Sequence, residues 1–485
     1  MYLGIDLGTS AVKTCVLQPD GQVAASHSAP IRTDHPFEGA SEQACKDWWT
    51  ATVQAVCALA PELRSQVRAI GLSGQMHGAV LLDPDLQPIR PAILWNDARA
   101  SLECDDILGT VPDAATITGA VPMPGLAAPK LLWLSRHEPD THARIAHILL
   151  PKDYIGLRLH GGLVTDPSDA AGTSWFDQAA GVWSDLLCEA TATDPAWLPT
   201  VRHGAETAGV LGRTASETLG LPLGIPVATG AGDAAAGAVG VGAVSVGDGF
   251  ISLGTSAQLF VSTDHYRPNP QSRIHSYAHT VPDMWFQMAA MLNGARPIAW
   301  LASLLGRPIA DLLTEAEAAR PGPLFLPYLT GERTPHGDSD IRGGFGGLSE
   351  TTTHGSLMRA VVEAVSFTFA DAVRVFEATG TSPRDVLAIG GGTRSDFVLQ
   401  TIANATGCRI GRADGGDIAP AVGAARLAMA TADGEQGKAI FAKPGIGRWF
   451  DPTEEGQDDL QARLQAFRAL YPALKSVQQK VGPSP

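Results

Sequence analysis

Gly4-Ile5-Asp6-Leu7-Gly8-Thr9-Ser10-Ala11-Val12-Lys13, close to the start of the chain, decides how the rest is read. Tyr2 to Asp6 reads as a short buried strand and Ala11 to Leu17 as a second one. The turn between them holds a carboxylate, a glycine, two hydroxyls and a lysine. Backbone N–H groups in a tight glycine-containing turn converge on phosphate oxygens. Gly8 supplies the turn, Thr9 and Ser10 add hydroxyl donors, and Lys13 adds a positive charge. Asp6 repels phosphate directly, but it can hold a hydrated Mg²⁺ that bridges to phosphate. Taken alone, the stretch reads equally well as an ordinary hairpin. The balance shifts because Leu7-Gly8-Thr9-Ser10 recurs letter for letter as Leu253-Gly254-Thr255-Ser256, again after a strand-like run from Phe250. A turn repeated in the two halves points to a duplicated architecture. Two such turns face to face would grip one polyphosphate from both sides.

The chain around the first turn fits that reading. Gln18-Pro19-Asp20-Gly21 is a turn signal that folds a third strand, Gln22 to Ser26, onto the first two. Ser41 to Ala60 has helical spacing of Trp48, Trp49, Val53 and Val56, with Ser41 as its expected cap. Val67 to Leu72 is the next strand. The order β-β-β-α-β is that of a ribonuclease-H-like lobe. The expected fold is α/β, with two such lobes built on duplicated β-β-β-α-β-α-β-α units and a cleft between them. This arrangement resembles the sugar kinase and actin superfamily, in which two lobes close on ATP. The glycine-dense stretch from Gly240 to Gly249 sets the expected boundary: an N-terminal lobe over 1–246 and a C-terminal lobe over 247–485.

Composition narrows the function classes. The 485 residues are 45% hydrophobic and 18% charged, which suits a well-buried globular protein of two large domains. The net charge of −15 argues against nucleic acid or an anionic membrane as the main partner. Six scattered cysteines without a CxxC pair fit reduced thiols better than disulfides or a zinc site, and with no signal-like start the expected location is cytoplasmic. Trp285 to Leu305 is the most apolar long stretch, and Asn293 and Arg296 make it too polar to span a membrane.

Two further stretches carry candidate chemistry in the first half. Gln75-Met76-His77-Gly78 closes a strand, where α/β proteins place ligand contacts; His77 could donate to a sugar hydroxyl and Met76 could cover its apolar face. The plainer reading is a satisfied turn histidine. Trp95, Asn96, Asp97 and Arg99 put an aromatic, an amide and both charges within five residues, a mixture polyol sites use; a buried Trp beside a surface ion pair is the alternative.

Asp233 follows Gly232 and opens a run of very small residues that reads as a helix. A helix N-terminus favours an anion by roughly 0.3–1 kcal/mol, which would keep Asp233 ionised and able to take a proton. An N-cap aspartate is the structural alternative. In the second half, Gly390-Gly391-Gly392 ends a buried strand just before a helix over Asp396 to Thr406. Glycine backbone there lets an adenine ring lie flat, placing Gly391, Gly392 and Asp396 in the nucleotide set. Neither GxGxxG nor GxxxxGK[ST] occurs, so dinucleotide and P-loop readings lack their motifs. Met358 to Phe376 is an apolar helix containing Glu363, expected between the lobes.

Taken in order, Gly4 to Ser10, Gly74 to Gly78, Ile93 to Asp97, Ala128 to Trp133, Leu150 to Tyr154, Gly232-Asp233, Ser252 to Ser256, Gly331 to His336 and Gly390 to Gly392 resemble the FGGY carbohydrate kinases over nearly the whole chain. The resemblance implies an ATP-Mg²⁺ cleft, a catalytic aspartate at Asp233, metal held near Asp6 and Asp233, and the sugar at Met76-His77. It implies transfer of the γ-phosphoryl group to the 5-hydroxyl of a ketopentose, D-xylulose first. Its partners would be ATP and a small sugar, with a homodimer compatible. Ala234 stands where relatives acting on that sugar usually carry Asn, and Ala127 where they often carry Thr. The rival expectations are the same fold acting on ribulose, gluconate or a sugar alcohol, and a non-catalytic sensor. Asp233 argues against the sensor, which needs no base.

Overall fold

The computed structural model describes residues 1–434, 442–454 and 456–481. The first sheet contains β1 (Tyr2–Leu7), β2 (Ala11–Leu17), β3 (Val23–Pro30), β4 (Ala69–Gly74), β5 (Thr207–Val210), β6 (Pro226–Ala228) and the short β7 (Ala231–Gly232). Its order is β5-β6-β4-β1-β2-β3, with β7 also on β4. β1 runs antiparallel to β2, from Tyr2↔Leu17 to Leu7↔Val12, and parallel to β4. The buried, glycine-punctuated strand Tyr2–Leu7 therefore sits in mid-sheet, with its C-terminal end open to a ligand.

Helix α1 (Cys45–Cys57) packs on the first sheet through Trp48, Ala51, Ala55 and Val56. It starts four residues later than the spacing predicts, and Ser41 is not its cap. Glu42-Gln43 pairs instead as a short strand with Ala92-Ile93, so the backbone there is committed to a ladder. Helices α2 (Ala127–His137) and α3 (Pro151–His160) lie in the long excursion between β4 and β6, and α4 (Asp233–Val241) follows β7.

The second sheet repeats the plan. Its strands are β8 (Gly249–Leu253), β9 (Ala257–Thr263), β10 (His275–Ala278), β11 (Trp285–Met291), β12 (Asp385–Ile389), β13 (Arg409–Ala413) and β14 (Ile446–Phe450), in the order β10-β11-β9-β8-β12-β13-β14. β8 takes the place of β1, β9 of β2, β11 of β3 and β12 of β4. The duplicated ribonuclease-H-like plan is thus present, with β10 as an added edge strand.

Helices α5 (Arg296–Leu305), α6 (Ile309–Ala318), α7 (His354–Glu377), α8 (Asp396–Thr406), α9 (Ala419–Asp433) and α10 (Gln457–Val481) complete the second half. The expectation for Met358 to Phe376 is corrected. α7 forms the core of the second lobe with Phe325, Leu399 and Phe467. Glu363 is satisfied there by Arg359 at 3.0 Å and Arg463 at 2.6 Å. The two halves meet through α4 and α9 instead. α9 comes late in the chain, yet it lies across β1 and β4 of the first sheet. Glycine allows that approach: a Cβ on Gly71 would lie 1.8 Å from the Ala424 carbonyl oxygen, and one on Gly423 would lie 1.8 Å from that of Ala236. No helix among the described residues is long and apolar enough to cross a membrane.

Candidate active site

Two carboxylates flank the end of β4. Asp6, near the end of β1, is paired in register with Ser73, whose Oγ donates to Asp6 Oδ1 at 3.0 Å. On the other side of β4, β7 pairs Ala231↔Ser73 and Gly232↔Gly74. Asp233 then opens α4. Two strand spacings, roughly 10 Å of backbone, separate the flanks, and both side chains can reach inward over β4. The Gly232 N–H donates to Ser168 Oγ at 3.1 Å, which pins the turn before the aspartate.

Burial pushes Asp233 up to about 7, the nearby Asp6 charge pushes the same way, and the Ala234 N–H opposes them. Burial likewise pushes Asp6 up to about 6, against the bond from Ser73 and the charge of Lys13. The expectation that the helix terminus by itself keeps Asp233 ionised is corrected. Desolvation and a like charge outweigh a dipole effect of roughly 0.3–1 kcal/mol. No group of three or more metal-ligating side chains exists among the described residues. Two mutually repelling carboxylates nevertheless suit Mg²⁺, which binds through one or two carboxylates while keeping waters and substrate phosphates.

The loop after β4 forms the adjoining wall. His77 adopts left-handed backbone at φ 70°, uncommon for a non-glycine residue. Its Nδ1 lies 2.7 Å from the Gly172 carbonyl oxygen, which can only accept, so Nδ1 carries the proton. Burial pushes the ring down to about 3, so it is neutral. Nε2 is therefore an acceptor, and the expected role of His77 as a donor to sugar is reversed. Met76 is buried behind it, against Gly172 and Gly232. The loop is fixed from behind by Lys130 of α2, which donates to the carbonyls of His77 at 2.9 Å, Ile93 at 3.2 Å and Gly125 at 2.7 Å.

The two Gly-Thr-Ser turns are not equivalent. Thr9 Oγ1 donates to Gln75 Oε1 at 3.0 Å and accepts from Trp95 Nε1 at 2.9 Å. Its single proton is committed, so Thr9 does not offer a hydroxyl donor to phosphate. Gln75 is also committed, donating to Gln43 Oε1 at 3.0 Å. Gln75 and Trp95 thus brace the turn through their polar atoms instead of presenting them to sugar. Ser10 is exposed, with Gly8 in the turn. Thr255 and Ser256 are exposed, and neither hydroxyl has a hydrogen-bond partner among the described residues. Lys13 Nζ donates to the Asp417 carbonyl at 2.8 Å, tying the first turn to the second half of the chain.

Other expected contacts are drawn elsewhere. Asp97 accepts from the Ser41 N–H at 2.7 Å and pairs with Arg99, also at 2.7 Å; Arg99 in turn pairs with Glu42 at 2.6 Å. The Asp97 and Arg99 side chains are 0% and 2% exposed. They form a buried brace, because a charge pair taken out of water must satisfy itself, and they are withdrawn as sugar contacts. Asn96 is exposed. Asp396 lines a cavity of about 620 Å³ beside Gly391 and Gly392, with Ile298, Ala299 and Leu313 as its apolar wall. Its carboxylate, 47% exposed, pairs with Arg412 and Arg448 at the cavity rim. Sequence reasoning assigned no role to Lys130, Gly172, Ser168, His275, Tyr277 or Arg333. Ser168 to Thr173 reads in sequence only as part of a cleft wall, and Lys130 and Arg333 lie in stretches that carry the family resemblance, where a cation in an apolar setting was the signal available.

Two lobes built on one plan, a Gly-Thr-Ser turn on each, a carboxylate pair and an apolar cavity on a glycine strand end are the frame of a phosphotransferase of the sugar kinase kind. The chain belongs to the FGGY family of carbohydrate kinases: the family's N-terminal domain matches residues 1–240 and its C-terminal domain residues 249–432. The chain is similar to the xylulose kinase of Escherichia coli strain K12, at 41% identity over 98% of this chain and 99% of that protein. A crystal structure described as a xyloylose kinase from Brucella ovis aligns with a TM-score of 0.95 at 39% identity, covering 98% of this chain and 100% of that one. A gluconate kinase from Lactobacillus acidophilus aligns with a TM-score of 0.93 at 25% identity, covering 99% of both chains.

Proposed function

We propose that this kinase phosphorylates D-xylulose at its 5-hydroxyl, with Asp233 as the base. The carrying observation is the placement of Asp233: at a helix start, beside Asp6, with Met76 of the His77 loop against the preceding Gly232. Full-length kinship with xylulose kinases supports the sugar. The 5-hydroxyl gives its proton to the Asp233 carboxylate as its oxygen attacks the γ-phosphorus, and the bond from that phosphorus to the oxygen of ADP breaks. Gly8, Ser10, Gly254, Thr255 and Ser256 orient the phosphates, and the cavity beside Gly391 and Gly392 takes the adenine. His77 Nε2 accepts from a sugar hydroxyl while Met76 covers an apolar face. Asp6 and Asp233 would hold Mg²⁺, which would neutralise charge on the transferring group. Catalysis is then largely positioning and charge neutralisation.

The test is a product assay with ATP and a panel of D-xylulose, ribulose, gluconate and pentitols. D-xylulose 5-phosphate and ADP in equal amounts, with the highest kcat/KM of the panel, is the expected result. A preference for gluconate would transfer the reading to a sugar acid. The departure at Ala234, next to the base, is where such a shift would arise.

A further inference from the structure

The turn before Asp233 is held from outside its sheet. β7, which ends at Gly232, pairs among the described residues with β4 alone. The Gly232 N–H donates instead to Ser168 Oγ at 3.1 Å. That hydroxyl is not free to rotate. Its own proton goes to Asp166 Oδ2 at 2.5 Å, and the Ser168 N–H donates to the same oxygen at 2.8 Å. A serine hydroxyl has one proton, so committing it to Asp166 leaves the Oγ lone pairs for the Gly232 N–H. The other Asp166 oxygen, Oδ1, pairs with Lys152 Nζ of α3 at 3.0 Å. A chain of contacts thus runs from Lys152 through Asp166 and Ser168 to the backbone of the Asp233 turn.

Lys152 anchors that chain. Its ammonium also meets Asp153 at 2.5 Å and Asp169 at 3.3 Å, and all four side chains are at most 1% exposed. Burial pulls Lys152 down and the three carboxylates outweigh it, so the ammonium stays charged. A buried ionic cluster adds little stability over apolar packing of the same volume. What apolar packing cannot do is hold a hydroxyl in one orientation, and here the hydroxyl so held faces the Asp233 turn. The same segment reaches the sugar loop. The short helix Pro167–Ala170 runs straight into the turn Ala171–Thr173. His77 Nδ1 donates to the Gly172 carbonyl of that turn at 2.7 Å, and Thr173 Oγ1 closes the turn by donating to the Ala170 carbonyl, also at 2.7 Å. A Cβ on Gly172 would lie 2.4 Å from His77 Nδ1, so the segment lies directly against the loop. One stretch, Asp166 to Gly172, therefore holds the base turn at Ser168 and the sugar loop at Gly172.

We propose that Ser168 is a positioning residue for phosphoryl transfer: oriented by Asp166 and Lys152, it fixes the Gly232-Asp233 turn against the His77 loop. The Asp233 carboxylate and the sugar hydroxyl then keep one separation through the reaction. This role rests on the reading of Asp233 as the base. Ser168 is 0% exposed and acts through the Gly232 N–H. A base displaced by about 1 Å costs on the order of 100-fold in rate. The groups that bind sugar and nucleotide stay where they are, so the loss falls on the transfer step and spares binding.

The test measures the single-turnover rate of transfer and the KM for D-xylulose in wild type, Ser168→Ala, Asp166→Asn, the double variant and Asp233→Ala. Melting temperature and affinity for a non-hydrolysable ATP analogue check folding. Ser366→Ala removes a buried hydroxyl that donates to the Val362 carbonyl within α7, and it reads the effect of such a loss by itself. For Ser168→Ala we expect a transfer rate about 10- to 100-fold lower, with KM and analogue affinity within a few-fold of wild type. Ser366→Ala should lower the melting temperature and leave the rate unchanged. Asp166→Asn leaves Lys152 paired with Asp153 and Asp169, so it should fold and lose rate. The double variant should be no slower than Ser168→Ala, because Asp166 acts through the hydroxyl. A Ser168→Ala rate within twofold of wild type, a loss confined to KM, or losses that multiply in the double variant would each overturn this inference, while an inactive Asp233→Ala keeps the base reading. Transfer by Asp233→Ala within tenfold of wild type would overturn both.

Discussion

Asp233 is half of a carboxylate pair with Asp6, and this sets what its removal should do. Asp233→Ala should leave affinity for an ATP analogue within a few-fold while lowering kcat by at least about 100-fold, the lower end for a lost general base. Transfer within tenfold of wild type would remove Asp233 from the mechanism. The two identical turns allow a second contrast. Thr255→Val deletes a free hydroxyl and should weaken ATP binding by about 0.5–3 kcal/mol, with apo-enzyme sugar affinity unchanged. Thr9→Val strands Gln75 Oε1 and Trp95 Nε1, so it should lower the melting temperature as well. Calorimetry and thermal melts on both variants read the difference, and matching profiles would show that the brace is inert. A third residue controls acid stability. His279 is 1% exposed, and burial pushes it down to about 3. The unfolded ring binds its proton near 6.5 and the folded ring does not. The stability it contributes is thus whole above pH 6.5 and is lost as pH falls toward 3, at up to about 1.4 kcal/mol per pH unit. His279→Phe gives up the bond from the Val281 N–H, a pH-independent cost. It should flatten the acid limb of the melting-temperature profile between pH 6 and 4.5, and an unchanged slope would assign that limb to other groups.

At the scale of elements, α9 is the joint. It lies on β1 and β4 of one sheet and on α4, the helix that starts at Asp233. A shift of α9 therefore moves the Gly232-Asp233 turn. Gly71→Ala would drive a Cβ into the backbone of α9 and should cost about 1–3 kcal/mol or more, as overpacking does. Gly109→Ala is the control, a helical glycine without left-handed backbone and with no neighbour within 4 Å. If both variants melt alike, the close approach of α9 carries no special weight. Elements were unevenly legible. Ala11–Leu17 and Asp396–Thr406 follow their sequence signals, because turn residues and Ser395 with Gly407 mark the ends locally. The start of α1 and the place of α7 were misread. Glu42-Gln43 is captured by a strand fifty residues away, and Glu363 finds its second arginine a hundred residues on.

For the whole molecule, the division of labour predicts motion. Asp233, Asp6 and the His77 loop stand on the first lobe. Thr255, Ser256 and the cavity beside Gly391 and Gly392 stand on the second. On the proposed mechanism a nucleotide bridges them, so its differential affinity for a closed form should shift the population toward closure. Small-angle scattering should give a smaller radius of gyration with ATP analogue and sugar together than with sugar alone. A radius indifferent to nucleotide would make the second turn a structural echo.

The sequence by itself determined what is local or repeated: the carboxylate-glycine-hydroxyl turn and its copy, the glycine-bounded Asp233, the triple glycine and the absence of rival nucleotide motifs. Each is a few adjacent residues whose backbone geometry and chemistry are set by one another. Only the tertiary structure decided which of the candidate side chains are free to bind. Asp97, Arg99, Gln75 and Thr9 look like ligand groups in one dimension, and partners remote in sequence satisfy all of them. Whether a polar group serves the fold or a ligand depends on whether burial brings it a partner, and partners come from chain segments that sequence spacing does not connect.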